Sequence, residues 1–186
     1  MELSAYLRIQ AHANALANHR LHTTMAPLDR ASLHAPRVSF FPSLIATLNH
    51  VLNVDGYYIA ALQGKADADR KWKEFVPADV LPELAQRQRV IDAALIAFCS
   101  TLDAAACEGN VDMPRGNGRI QRDLACHVLA HLFMHQTHHR GQIHTMLSGT
   151  ALAPPQLDEF LMASEGHLRR DDMAALGWRE EDIWGP

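Results

Sequence analysis

The feature that most constrains this chain is a run of histidines spaced at one helical turn. They recur every four residues, at His127, His131, His135 and His139. Residues four apart stack on one side of a helix, so His135 and His139 can aim two imidazoles at one point. The same side also carries apolar residues, namely Val128, Leu132, Ile143 and Met146. The pattern predicts a helix whose inward face offers two nitrogen ligands to a metal ion.

Two other interpretations of these histidines stay open at this point. A buried imidazole needs a partner, and a backbone carbonyl or a neighbouring side chain can serve as well as a metal ion. The chain also has twelve histidines, some of which are incidental to any site. A third histidine from another part of the chain would favour the metal. On the same helix, Thr137 and Arg140 are expected to point away from the interior. Cys126 lies opposite His135 and is not a candidate ligand.

The composition favours helices over sheets. Hydrophobic residues make up 48% of the 186 residues and aromatic residues only 6%, with alanine and leucine prominent. Alanine and leucine are good helix formers, whereas aromatic residues are enriched in strands. A chain of this length can bury a core without disulfide or metal support. We therefore expect a single domain over residues 1–186. The three cysteines show no CxxC pairing, which is typical of reduced thiols.

Hydrophobic periodicity and the breaks between segments predict four long helices. Pro42 and Ser43 form a favourable helix start, and Asp79 is the predicted N-cap of the third helix. The segment from Asn110 to Arg119 is rich in turn residues, with a short strand pair as an alternative to a simple crossing. The predicted helices run from Leu3 to Met25, Pro42 to Gly64, Asp79 to Leu102 and Ile120 to Leu147. Together they predict an all-α four-helix bundle.

A C-terminal extension, from about residue 154 to 186, is expected to follow the bundle. Within it, Asp158 to Ser164 is predicted to be a short helix or turn. Arg170 to Trp184 is predicted to be one amphipathic piece that packs against the bundle or against a partner subunit. At the other end of the chain, Tyr6 is expected to face inward from the first helix.

A third histidine ligand is expected from the second helix. His50 is the only histidine there and shares a side with both polar and apolar residues, so the pattern favours an inward position without fixing it. If this helix packs against the histidine helix, three imidazoles meet in the bundle interior, where bundles place their metal sites. Three protein ligands leave a coordination position open. That is typical of a catalytic metal, because structural zinc sites are closed by four protein ligands.

These residues resemble a known family. Asn49 and His50 are followed by Asp55 and then by aromatic residues, and the later helix carries His-Gln-Thr-His-His-Arg-Gly-Gln from His135 to Gln142. On these motifs, on their spacing, and on the Pro-Pro-x-Leu-Asp and Leu-Gly-Trp segments near the end, the chain resembles the DinB/YfiT-like family of metal-binding four-helix-bundle proteins. The resemblance covers nearly the whole chain. Carried over by position, it implies a metal triad of His50, His135 and His139.

The resemblance also implies a chemistry. Members of the family include thiol-dependent S-transferases and a thiol-dependent isomerase that use low-molecular-weight thiols. We therefore expect a divalent metal ion, zinc before nickel or iron, and transfer of a thiol to a small electrophile. A thiol bound to such an ion loses its proton near neutral pH and becomes the nucleophile. Tyr57 and His131 are candidates to contact the electrophile, and no dedicated general base is required.

Two other functions stay open on the sequence alone, so whether the chain is an enzyme is not decided. A metal-dependent hydrolase would use the same histidines, but it usually needs a nearby carboxylate or histidine as a base. The helices show no obvious inward glutamate. A non-enzymatic metal-binding stress-response protein would use the ion to stabilise the bundle or to sense metal availability. Turnover with a thiol and an electrophile separates these classes.

Charge and hydropathy restrict the expected partners. The formal net charge is −4 and no cluster of lysines and arginines stands out, which argues against nucleic-acid binding. No stretch approaches the ~20 apolar residues of a membrane span, and the N-terminus lacks the pattern of a signal peptide. We therefore expect a cytoplasmic location with no membrane partner. The family resemblance adds the expectation of a homodimer.

Overall fold

The structure is a computed structural model that describes residues 1–116, 118–158 and 162–184. In chain order, the elements before the histidine helix are α1 (Leu3–Met25), α2 (Arg30–His34), α3 (Leu44–Leu62), α4 (Ala68–Lys73), α5 (Leu81–Ser100), α6 (Ala104–Cys107), β1 (Asn110–Pro114) and β2 (Ile120–Leu124). They are followed by α7 (Ala125–Leu147), a 3₁₀ helix (Ala163–Arg169), α8 (Arg170–Leu176) and α9 (Glu180–Trp184). Of the predicted turn at 158–164, residues 159–161 lie outside the described part of the chain.

The long helices α1, α3, α5 and α7 pack as a bundle. Helix α1 lies against α5 and α7, and α3 lies against the same two helices from the other side. Buried side chains of α3, α5 and α7, such as Val54, Leu95 and Leu132, form the largest shared core. The predicted all-α class is confirmed. No helix in the described ranges combines the length and apolarity that a membrane crossing requires.

Helix α3 begins at Leu44, two residues after the predicted Pro42, and a side-chain bridge ties it to the segment before α5. The side chain of Ser43 caps α3 by accepting a hydrogen bond from the Ala46 backbone N–H at 3.2 Å. Further along, the buried Asn49 amide donates to the carbonyls of Ala78 at 2.8 Å and Ile45 at 3.0 Å. Its Oδ1 accepts from the Ala78 N–H at 2.8 Å. Asn49 thereby holds the next residue, His50, on a helix that is tied to its neighbour.

The predicted start of the histidine helix at Ile120 was wrong. Residues Ile120–Leu124 form strand β2, antiparallel to β1, and α7 begins only at Ala125. Backbone pairing with β1 therefore overrides the helical pattern of this segment. The turn between the strands contains Gly116 (φ 74°) and Gly118 (φ 71°), a conformation that glycine adopts without steric cost. The hairpin packs against α3, α4 and α7.

Two other predictions about the helices were wrong. Asp79 does not cap α5, because its carboxylate accepts hydrogen bonds of 2.6 and 2.8 Å from Arg30. The helix begins two residues later, at Leu81, after an extended Val80. Tyr6 is 46% exposed, because the neighbouring Leu7 faces the core in its place.

The C-terminal extension packs on the outer side of α1. Met173 of α8 and Ile183 of α9 are buried against Ile9 and Leu16. The predicted continuous amphipathic piece is instead two helices, because Gly177 ends α8 in the left-handed conformation at φ 70°. This segment was expected to pack against the bundle or against a partner subunit, and in the described residues it packs against the bundle.

Candidate metal centre

Packing of α3 against α7 brings the three predicted ligands together. One ring nitrogen each of His50, His135 and His139 lies within 4.8 Å of the other two. The Nε2 atoms of His50 and His135 are 3.0 Å apart, and the ring centroids of the three residues are 4.4 to 5.0 Å apart. Within the described ranges, no other set of three or more histidine, cysteine or acidic side chains converges in this way.

The size of the cluster fits a divalent ion. Zn–N bonds of roughly 2.0–2.1 Å in a tetrahedron separate the ligand nitrogens by about 3.4 Å. The nitrogens of the cluster span distances from 3.0 Å to at most 4.8 Å, so small rotations of the rings suffice. Three imidazoles occupy three positions of such an ion and leave at least one open.

The cluster keeps its imidazoles neutral, which is the form that binds a metal. Burial, and then the nearby His139, lowers the pKa of His50 to about 4. Burial and the surrounding imidazoles lower the pKa of His135 to about 3. Burial also lowers the pKa of His139, although a hydrogen bond with Gln142 opposes that effect. At neutral pH all three rings therefore carry a free lone pair.

The contacts around His139 and His135 show which ring nitrogens face the cluster. Nδ1 of His139 lies 2.8 Å from Oε1 of Gln142, which only accepts. The proton is therefore on Nδ1, and Nε2 is left as the ligand atom, the usual arrangement around a metal-bound histidine. Nδ1 of His135 is buried without a hydrogen-bond partner in the described structure. The nitrogen of His135 that faces the cluster is Nε2, 3.0 Å from Nε2 of His50.

Aromatic side chains cover the cluster on the α3 side. Phe41 stacks on His50 with the ring centroids 4.3 Å apart and the planes at 28°, and it lies 5.7 Å from His139. The edge of Trp72 approaches His50 at 6.4 Å. Such a cover restricts solvent and lowers the local dielectric, which strengthens electrostatic interactions. Phe41 was not predicted from the sequence. The pattern that could have indicated it is the aromatic pair, Phe40 and Phe41, just before the helix that carries His50.

A cavity of about 250 Å³ opens beside the cluster. Its lining includes Tyr57, Tyr58, Trp72, Arg115, His131 and His135. His135 therefore belongs to both the cluster and the cavity. His131 is exposed, with its ring centroid 6.2 Å from that of His135. Tyr57 donates its hydroxyl to the carbonyl of Pro114 at 2.9 Å. Both residues predicted to contact an electrophile thus line the cavity, and their roles stay predictions.

The chain is also similar to known proteins. A model of the DinB family matches residues 6–172. The chain belongs to the DinB family. It is similar to the protein DinB of Bacillus subtilis (strain 168), with 25% identity over 159 residues that cover 82% of this chain and 91% of that protein.

A solved member supports the fold. The chain resembles the crystal structure of a DinB-like protein from Bacillus cereus ATCC 10987, with a TM-score of 0.56 and 18% sequence identity. The match covers 75% of this chain and 89% of that one. At this level of identity the likeness concerns the fold alone. Fold and family therefore agree with the resemblance found in the sequence.

This DinB-family chain also has a buried polar network behind the cluster. The carboxylate of Asp55 on α3 accepts from Gln88 Nε2 of α5 at 2.9 Å and from Gln136 Nε2 of α7. Gln88 also donates to Asp92 at 3.0 Å, and Asp92 accepts from Asn18 of α1 at 3.0 Å. All five side chains are buried. The network links the four long helices. Its member Gln136 directly follows His135 in α7, so the network reaches the residue beside the cluster.

Arg140 is the cation of this network, which corrects the prediction that it points away from the interior. Its guanidinium donates to Asn14 and Asn18 of α1 and to Gln136. Burial, opposed by Asp55 and Asp92, lowers the pKa of Arg140 to about 10, so it stays charged at neutral pH. A helical wheel of α7 places Arg140 off the apolar arc. It does not show that α1 packs against that side.

Two further α7 histidines and the cysteine lie outside the cluster. His127 and His138 are exposed at the edge of the helix, and Cys126 is not in the cluster. His127 pairs with Asp123, with its Nδ1 3.1 Å from the carboxylate. The single domain, the homodimer and the cytoplasmic location stay predictions.

Proposed function

We propose that this DinB-family protein is a metal-dependent thiol S-transferase that joins a low-molecular-weight thiol to a small electrophile. His50, His135 and His139 would hold the ion, zinc in preference to nickel or iron. The observation that carries the proposal is the position of His135, which borders both the cluster and the 250 Å³ cavity. A ligand in that cavity would lie beside an open coordination position.

The chemistry needs little from the protein beyond binding and orientation. A divalent ion held by the three histidines would lower the pKa of a bound thiol and so make the thiolate available near neutral pH. The thiol proton leaves to solvent, the sulfur forms a bond to the electrophilic carbon, and a leaving group departs with its electron pair. Phe41 limits water at the cluster, and the cavity holds the electrophile close to the sulfur.

Hydrolysis needs more from the same site, namely a base beside the metal-bound water, for which His131 and Asp69 line the cavity. Asp69 is the carboxylate that lines the cavity in the described structure. It accepts a hydrogen bond of 2.5 Å from Nζ of Lys73, which lowers the pKa of Asp69 below its ordinary value. A carboxylate with a lowered pKa is a weak general base. Asp55 lies behind the cluster and is engaged by two glutamines. A thiolate that is already ionised needs no such base.

The test is thiol-dependent turnover of the zinc-loaded protein. Glutathione, bacillithiol and mycothiol are each mixed with neutral 1-chloro-2,4-dinitrobenzene and, separately, with the anionic 4-chloro-3,5-dinitrobenzoate, and product formation is followed by absorbance. At least one thiol should react faster with protein than without it. His135→Ala should abolish the enhancement, whereas His127→Ala, an exposed histidine on the same helix, should keep it. Stoichiometric metal with no turnover for any thiol would contradict the transferase and favour a non-enzymatic metal-binding protein.

A further inference from the structure

Among the described residues, the cavity beside the cluster contains one positive charge that no carboxylate pairs with. Asp69 and Lys73 both line the cavity, and they neutralise one another through their hydrogen bond. Arg115 lines it as well, and no carboxylate among the described residues pairs with its guanidinium. The partners of Arg115 are neutral: Nε donates to Oε1 of Gln121 at 3.1 Å, and one Nη donates to the hydroxyl of Tyr58 at 3.2 Å.

These contacts hold the Arg115 guanidinium in place without neutralising it. Its central carbon lies 5.2 Å from the ring centroid of Tyr57 and 5.6 Å from that of Tyr58, so the charge rests on two aromatic faces. The two hydrogen bonds use only part of its five N–H donors. A positioned guanidinium with free donors binds a carboxylate in a bidentate fashion, which a lysine cannot do.

The cavity connects this charge to the candidate metal centre. The hydroxyl of Tyr58 accepts the hydrogen bond from Arg115. The ring centroid of Tyr58 lies 5.3 Å from that of His131. His131 in turn lies 6.2 Å from His135. The wall between the two ends is aromatic and apolar, with Trp72 and Val54 beside the tyrosines. The volume of about 250 Å³ lies just below the roughly 300–1,000 Å³ of sites that hold drug-sized molecules, so the cavity suits a smaller ligand.

We propose that Arg115 anchors the carboxylate of a small organic acid, whose unsaturated or aromatic body lies against Tyr57 and Tyr58 with its far end at His135. This acid would be the electrophilic substrate, so the inference rests on the proposed transferase function. Arg115 thereby selects small anionic electrophiles over neutral ones of the same size. The positive charge of an ion at the cluster adds to the preference for an anion.

The test compares 4-fluorobenzoate with 4-fluorobenzamide, which have similar size and shape and differ in charge. Binding to the full chain is measured by fluorine NMR, with and without zinc. Because charge-assisted hydrogen bonds are stronger than neutral ones, the benzoate should bind about tenfold more tightly, also in metal-free protein. Arg115→Gln should remove the preference while benzamide binding stays, which shows that the cavity is intact. Arg119→Gln, the same charge change on the same hairpin, should keep it.

Three results would contradict the proposed carboxylate-binding subsite at Arg115. Equal affinity of the wild type for both compounds would show that the cavity does not select anions. A preference that survives Arg115→Gln would show that another group binds the carboxylate. A preference that appears only with zinc would show that the benzoate carboxylate binds the metal ion and not Arg115. None of these measurements requires turnover. A chain that keeps the Arg115-dependent preference and fails to transfer any thiol would contradict the proposed function and leave the subsite standing.

Discussion

The buried carboxylate of Asp55 makes the stability of this fold depend on pH in a predictable direction. Burial, and then the charge of Asp92, raises the pKa of Asp55 from 3.8 to about 8, although Gln88, Arg140 and Gln136 oppose the shift. In the unfolded chain the carboxyl returns to its ordinary pKa of about 3.9. Over the range between these values, the folded protein holds a proton that the unfolded protein has released.

The sign and size of the effect follow from linkage. A group whose folded pKa is raised contributes stability below its unfolded pKa, and this contribution is lost as pH rises toward the folded value. The free energy of unfolding then falls by about 1.4 kcal/mol per pH unit, or about 3 kcal/mol between about pH 5 and about pH 7. Asp55→Asn replaces the protonated carboxyl by a neutral amide whose oxygen can still accept from Gln88 and Gln136.

Urea unfolding of metal-free protein, followed by circular dichroism at several pH values, measures this effect. Relative to wild type, Asp55→Asn should gain about 3 kcal/mol between about pH 5 and about pH 7. Histidine contributions are common to both proteins and cancel in the difference. The control is Asp112→Asn, which removes the exposed ion pair with Arg122 and should change stability by at most about 1 kcal/mol, without this pH dependence. Parallel pH profiles for wild type and Asp55→Asn would refute the reasoning.

Other predictions concern the supports of the site. Asn49→Ala breaks three buried hydrogen bonds and should lower the free energy of unfolding by about 2–3 kcal/mol; an unchanged urea midpoint would contradict its bridging role. Gln142→Ala removes the acceptor of one triad imidazole and should weaken zinc binding about tenfold in a chelator competition. The exposed Thr145→Ala on the same helix should not, and equal losses would rule out a specific effect. Burial raises the pKa of Cys99 to about 12, so iodoacetamide should label the half-buried Cys126 first by mass spectrometry, and the reverse order would contradict this.

The sequence was informative wherever a local pattern and packing agree. The i, i+4 spacing of His135 and His139 on an apolar helical face was enough to predict their convergence, because both the direction and the burial of a helical side chain follow from its phase. Ser43 at the start of α3 was also a local signal, and its cap is present. His50 was harder, since its side of α3 is mixed in polarity; its place depended on which helices pack together.

The features that the sequence did not reveal are those set by distant contacts. β2 was predicted to be helix because strand pairing depends on the partner β1, and not on the residues of β2 alone. Arg140 was predicted to face solvent because its partners, Asn14 and Asn18, lie on a helix more than a hundred residues away. The anionic subsite needed the same kind of information. Arg115 is one of many scattered basic residues until the hairpin places it over the tyrosines of α3.

The central claim is that three histidines from two helices form one metal site, and metal content tests it most directly. Untagged protein is produced in cells grown without added nickel and dialysed extensively, and its metal content is then measured by inductively coupled plasma mass spectrometry. We expect about one divalent ion per chain in the wild type and in His127→Ala. Each of His50→Ala, His135→Ala and His139→Ala should lose the ion, with affinity reduced by more than the roughly 10–100-fold typical of losing an outer partner. Metal retained in His50→Ala, or absent from a wild type that zinc does not stabilise, would contradict the claim.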